Sequence, residues 1–265
     1  MKSRQTPKRF GLCGHPITHS LSPLLFASAY PSNHFSYDLI HSSDPEEAIR
    51  LFLEGGYSAM NVTAPFKTSI LPFVYQQTPQ CEVIGACNLI LRDDDILTAH
   101  NTDFLGVARS LIAAQVPIKN AACLLLGAGG AAKAAAYALL KEGATLLWAN
   151  RTFAHIPQSF NGFSVTSIPL DEIKLHLNDC HIVVNTLSQP LPLLQTLKFH
   201  ASQTIFDASY AAPPLASLAH QAGARYIDGK QWLLHQAIPS FAIMTGFSPN
   251  IRAMEICLYP NNSLI

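Results

Sequence analysis

LLLGAGGAAKAAA, residues 124–136, decides the fold class. Three leucines in a row read as a buried strand, the glycines that follow break it, and the alanine run beyond reads as a helix. The spacing Gly127-x-Gly129-x-x-Ala132 falls between strand and helix, the setting that a dinucleotide-binding turn requires. In such a turn Gly127, Ala128, Gly129, Gly130 and Ala131 bring backbone N–H groups against a pyrophosphate, and the helix N-terminus adds partial positive charge. A purely structural turn is the alternative. The wider apolar run over residues 121–140 has the length of a membrane span, but Lys133 and the glycine break interrupt it, so strand, turn and helix is the reading.

Working outward, strand-like and helix-like segments alternate, which is the habit of an α/β chain with mostly parallel sheets. Strands are expected at residues 10–13, 34–39, 60–62, 87–92 and 96–99, the last two forming a hairpin around Asp93, Asp94 and Asp95. Further strands are expected at 122–126, 145–149, 163–167, 181–185, 204–207 and 225–227, roughly five or six of them in one parallel sheet. Helices are expected at 23–30, 45–54, from about 67, at 103–114, 232–242 and 251–258. The pattern predicts two α/β domains. Residues 1–102, completed by the helices of 235–265, form a substrate-binding domain, and 103–234 form a Rossmann-type nucleotide-binding domain.

The strand after the glycine turn, TLLWAN, speaks to the cofactor. About twenty residues past such a turn an NAD site usually offers Asp or Glu to the ribose hydroxyls. This chain offers Asn150, Arg151 and Thr152 instead. A guanidinium there bonds a 2'-phosphate and stacks on adenine, whereas a carboxylate would repel the phosphate, so NADP is the expected cofactor. An ordinary exposed arginine at a strand end is the bland alternative.

Composition narrows the partners. Of 265 residues, 49% are hydrophobic and 13% charged, enough apolar material for packed cores. Seventeen basic residues balance seventeen acidic ones, so no cationic field exists to hold nucleic acid. The six cysteines lack C-x-x-C spacing and read as small buried apolar residues, which implies a reducing, cytoplasmic home. His15 and His19 are four apart, but Pro16 denies them a helical face, and no metal site is expected. The start MKSRQTPKRF lacks the apolar centre of a secretion signal and is compatible with a linker.

Three polar clusters remain: Ser20 and Ser22 in GHPITHSLSP, Asn61, Thr63 and Lys67 in NVTAPFK, and Asn101-Thr102-Asp103. Each lies where an expected strand gives way to a helix or loop, the edge at which open α/β sheets bind ligands, so all three are expected to face one cleft. With IGACN, HNTDFLG, LLLGAGGAA, NRT, DASY and DGKQWLLHQAIPSF, these stretches occur in the order and at about the spacing of the shikimate dehydrogenases, and the chain resembles that family over nearly its whole length. The resemblance implies an enzyme that reversibly reduces 3-dehydroshikimate to shikimate with NADPH, on the route to aromatic amino acids. It implies Lys67 and Asp103 as the catalytic pair, Ser20 and Ser22 as donors to the substrate carboxylate, and Asn61, Thr63, Asn88, Asn101, Tyr210 and Gln236 as further substrate contacts. Gly229 joins the cofactor site by the same match. Relatives of the family include fusions to the preceding dehydratase, and the basic, proline-containing start is compatible with one.

Each residue has a plainer reading: a helix cap for Ser22, a solvated charge for Lys67, an N-cap for Asp103, turn formers for the rest. The chain also departs from the family's pattern. Leu89 stands where Thr is common, Gln231 and Trp232 where glycine and methionine usually sit near the nicotinamide, and His155 where a second arginine often clamps the phosphate. A quinate/shikimate dehydrogenase of broader specificity and a non-catalytic shikimate-binding sensor are the alternatives; a sensor would be expected to lack the lysine and aspartate that are present.

Overall fold

Apolar runs of strand length punctuated by glycine, proline and aspartate build two six-stranded sheets in the computed structural model, which describes residues 8–30, 35–187, 189 and 191–260. Among these, the residues up to Thr102 and from Gln236 onward form one unit, and Asp103–His235 the other. Residues 1–7, where the linker reading falls, lie outside the described residues.

The first unit runs β1 (Lys8–Gly14), α1 (Ser22–Ala29), β2 (Phe35–His41), α2 (Pro45–Glu54), β3 (Tyr57–Val62), α3 (Phe66–Ser69), β4 (Gln76–Gln77), α4 (Pro79–Ile84), β5 (Leu89–Asp93) and β6 (Ile96–His100). Its sheet has the order β2-β1-β3-β5-β6-β4. The sheet is mixed: three of its five strand pairings are parallel, the majority that the sequence leads one to expect, and two are antiparallel. β1 pairs in parallel with β2 and β3, because helices carry the chain between them, whereas β5 pairs antiparallel with β3 and with β6. The β5–β6 hairpin closes over Asp94, whose φ is 50°, a conformation that Asp tolerates.

Local signals set α2 sharply. Asp44 accepts the Glu47 amide at 2.9 Å, Pro45 opens the helix, and Gly56 at φ 65° follows its end. Its inner face of Ala48, Ile49 and Phe52 joins Cys13, Met60, Val62, Phe66 and Ile70 in the core. Burial pushes the Cys13 and Cys81 thiols up to about 12, so they behave as small apolar side chains.

The second unit contains α5 (Asp103–Ala113), β7 (Ala122–Leu126), α6 (Gly130–Lys141), β8 (Thr145–Asn150), a short ribbon of β9 (Ser159–Phe160) and β10 (Phe163–Ser164), β11 (Thr166–Pro169), α7 (Ile173–His176), β12 (Ile182–Asn185), β13 (Thr204–Asp207), α8 (Ala216–Gln221) and β14 (Arg225–Ile227). All neighbours in the order β11-β8-β7-β12-β13-β14 are parallel. That is the doubly wound order, with its reversal point between β7 and β12. Every residue of β12 and β13 is buried, as strands covered on both faces must be. The single strand expected at 163–167 is split: Phe163–Ser164 belongs to the ribbon, and only Thr166–Pro169 enters the sheet.

Helix α9 (Gly229–Thr245) carries the chain back into the first unit, starting three residues before its expected start because Asp228 accepts the amides of Lys230 and Gln231. Then α10 (Ile251–Leu258), capped by Asn250, packs on α1 through the Ser28–Cys257 contact. At the end of β1 a methyl group on Gly14 would stand 2.4 Å from Thr63 Cγ2 and 2.9 Å from the Ala64 carbonyl. Gly14→Ala is therefore expected to lower stability by about 2 kcal/mol, read as a lower midpoint of urea unfolding; an unchanged midpoint contradicts the close approach.

Candidate active site

In the second unit the site begins where β7 ends. Gly127 has φ 105°, and a side chain there would meet the Thr186 hydroxyl at 2.5 Å, so only glycine fits. Two groups fix the turn from behind: the Trp148 indole N–H donates to the Gly127 carbonyl, and the Thr186 hydroxyl donates to Leu126 O at 2.7 Å. Beyond Ala128, the exposed Gly129 caps α6 with no side-chain acceptor, and the first turn of Gly130 and Ala131 carries no acidic residue. A helix of 12 residues whose first amides meet no carboxylate is suited to an anion.

At the end of β8 the Asn150 amide donates to the Thr152 carbonyl at 3.0 Å and curls the chain, with Arg151, Thr152 and His155 exposed. No carboxylate lies between Asn150 and His155 to repel a phosphate. On the other side of the reversal point, buried Asp207 accepts from Asn185 Nδ2 (2.8 Å), the Leu215 amide (3.1 Å) and the Tyr226 hydroxyl (3.2 Å). Burial raises its carboxyl pKa and the three donors oppose the rise. They hold the ends of the loop that carries Tyr210. Gly229 is buried at the start of α9, and Asp103, buried at the start of α5, accepts the Trp232 indole N–H at 3.1 Å.

In the first unit a cavity opens among Ser22, Tyr37, Asn61, Gln236 and Ser240, floored by Phe26 and Met244. Its polar wall is continuous. The Ser22 side chain hydrogen-bonds the Tyr37 hydroxyl, which donates to Asn61 Oδ1 at 2.9 Å, and Asn61 Nδ2 donates to the Asn88 carbonyl at 3.0 Å. Burial drives the Tyr37 phenol well above its usual range, so it stays a neutral donor. Asn88 Nδ2 donates to Thr102 Oγ1 (2.8 Å) and Gln236 Oε1 (2.9 Å), its Oδ1 accepts the Thr102 amide (2.7 Å), and Thr102 Oγ1 meets Ser240 Oγ at 2.8 Å.

Ser22, Asn61, Asn88 and Gln236, all expected from sequence, are thus brought together. Ser22 is not the cap of α1; Ser20 Oγ accepts the Ser22 amide at 3.2 Å instead, which brings both hydroxyls to one turn. Thr63 follows β3, its amide bonded to the Cys13 carbonyl, and the carbonyl of half-buried Lys67 accepts the Cys87 amide at 2.7 Å, pinning α3 beside Asn88. Asn101 Nδ2 donates to the Ala86 carbonyl at 2.8 Å. Tyr210 and Asp103 belong to the second unit.

Sequence reasoning missed Tyr37 and Ser240. Ser240 sits one helical turn past Gln236 on α9, a spacing that could have exposed it; Tyr37 lies mid-strand and carries no turn signal. Among the described residues, no three His, Cys, Asp or Glu gather to hold a metal, and no helix is long and apolar enough to cross a membrane.

A doubly wound nucleotide fold and a small cavity walled by amides and hydroxyls define a nucleotide-dependent oxidoreductase class acting on a polar small molecule. Two family models match: the shikimate dehydrogenase substrate binding domain over residues 12–90, and shikimate / quinate 5-dehydrogenase over residues 110–209. The shikimate dehydrogenase (NADP(+)) of Carboxydothermus hydrogenoformans is 31% identical, the match covering 96% of this chain and 98% of the relative. The shikimate dehydrogenase of Aquifex aeolicus superposes with a TM-score of 0.85 at 28% identity, covering 98% of this chain and all of that one. That of Thermus thermophilus, solved with NADP(H) and shikimate, gives 0.79 at 27% identity, covering 94% of this chain and 98% of the other. The chain belongs to the shikimate dehydrogenase family.

Removing the amide at the centre of the wall should be costly. Asn88→Ala strips partners from Thr102 and Gln236 and is expected to destabilise the protein by about 3 kcal/mol, against about 1 kcal/mol for Tyr37→Phe, both from denaturant unfolding. Equal, small losses would show that the wall is not a connected network.

Proposed function

We propose that the protein is an NADP-dependent shikimate dehydrogenase, reversibly reducing 3-dehydroshikimate to shikimate. The observation that carries the reading is the joint presence in one chain of the amide and hydroxyl wall around Asn88 and an uncapped glycine turn whose neighbouring strand is followed by Arg151, with no carboxylate beside it. The nucleotide fit rests on that turn and on Gly127 and Arg151. When bound, NADPH supplies the hydride.

The chain's own residues do the rest. Ser20 and Ser22 hold the substrate carboxylate, and Asn61, Thr63, Asn88, Asn101, Tyr210 and Gln236 receive its hydroxyls, since each one buried unpaired costs about 1–3 kcal/mol. The Lys67 ammonium stabilises the developing alkoxide and delivers the proton to it, and Asp103 orients the substrate oxygen. Gly127 to Ala131 and Gly229 take the pyrophosphate and nicotinamide side, while Asn150, Arg151 and Thr152 take the 2'-phosphate. The free thiols fit a reducing, cytoplasmic compartment.

Purified protein is expected to oxidise NADPH with 3-dehydroshikimate, and to do so far better than it reduces NAD with quinate. Lys67→Ala should lower kcat at least about a hundredfold with a much smaller change in KM. An unchanged kcat removes that role, and a wild-type protein that binds shikimate without turnover supports the sensor. Arg151→Ala is expected to raise the KM for NADPH about tenfold and leave that for NADH nearly alone; a parallel rise for both would move the phosphate contact elsewhere.

A further inference from the structure

The chain has two tryptophans, and both spend their indole N–H on a group of the nucleotide-binding unit. Trp148 donates to a backbone carbonyl, that of Gly127. Trp232, 5% exposed, donates to Oδ1 of Asp103 at 3.1 Å, a side-chain carboxylate itself only 3% exposed.

Both ends of this bond are anchored. Asp228 Oδ1 takes the Lys230 and Gln231 amides at 2.9 and 3.2 Å, which sets the first turn of α9, and the Phe206 ring packs on the indole with centroids 5.6 Å apart. Asp103 opens α5, which is tied to α6 by the edge-on contact of Phe104 with Tyr137. An indole has a single donor and no acceptor, so it can engage only an acceptor, and it cannot exchange roles with a neighbour as a hydroxyl or amide could.

We propose that Trp232 is a positioning residue for the reaction. Its N–H holds one oxygen of Asp103, fixes the rotation of the carboxylate, and so keeps the other oxygen in a single orientation for the substrate. This rests on the function proposed above. An apolar side chain at 232 could still pack beside Phe206 but would remove the donor that the indole gives to Asp103 Oδ1, and a carboxylate held less firmly spends less of its time aligned.

Trp232→Phe keeps a ring against Phe206 and removes the donor. It is expected to lower kcat about tenfold, with the KM for 3-dehydroshikimate and the Kd for NADPH changed by less than about twofold. In a D103A background the same replacement should have no further effect on the residual kcat, because the two side chains act as one. The indole N–H resonances supply a readout that needs no turnover: D103A should move that of Trp232 and leave that of Trp148 in place. If W232F does not fold, W232M carries the same test.

A kcat equal to wild type, an equal loss in the D103A background, or an unmoved Trp232 resonance each overturns the proposal. A wild-type protein without NADPH oxidation overturns the functional reading, and the positioning role with it, while the resonance shift persists; the two failures are told apart by that shift.

Discussion

A buried amide must find partners for four hydrogen-bonding positions, and the first unit is organised around one that does. Asn88 is 2% exposed. Its backbone carbonyl takes the Val62 amide and Asn61 Nδ2, its backbone amide donates to His100, and its side chain engages Thr102 and Gln236. One residue thus ties β3, β6, the start of the chain's crossing to α5, and α9. Leaving any of these groups unpaired would cost about 1–3 kcal/mol, comparable with a sizeable share of a domain's net stability. The strands and α9 are therefore held in register by the same bonds that form the cavity wall.

The second unit depends on a steric constraint instead. Gly127 turns the chain at φ 105° against Thr186, and nothing larger fits, so β7 can hand over to α6 within a few residues. That short passage leaves the helix start bare for an anion, and the alanines of α6 let it lie close on the sheet, with Ala132, Ala134, Ala135 and Ala136 all buried. Trp148 and Phe160 fill the space behind, their rings edge-on at 5.7 Å.

Much of this was legible in the sequence where local chemistry dominates. Pro45 opens the stretch 45–54 and a double glycine, Gly55-Gly56, stops it, and α2 has those bounds. The glycine turn and the parallel strands around it were equally plain, because continuous apolar runs admit few alternatives. Legibility failed where tertiary partners decide. The segment 163–167 has a strand's composition throughout, yet its two ends pair with different strands. Helix α9 runs through Pro239 as expected, but it extends beyond the expected 232–242 at both ends, to Gly229 and Thr245. Tyr37 looks like any aromatic strand residue, and its role exists only because α1 and β3 bring Ser22 and Asn61 to its hydroxyl. The resemblance to a family supplied Asn88 and Gln236, which no periodicity singles out.

The wall of the cavity is bonded to itself, and that has a consequence for recognition. Asn61, Asn88, Thr102 and Ser240 each hold at least one internal partner, so their rotamers are settled during folding and not during binding. An amide offers two N–H groups and two lone pairs, and a hydroxyl one and two, so capacity remains after the internal bonds are made. A polyhydroxylated ligand meets acceptors and donors whose directions are fixed, and one that lacks a hydroxyl, or carries it on the other face of its ring, leaves a fixed group unpaired. Such a site discriminates chiefly by penalty. Selectivity of that kind follows from rigidity inside one unit.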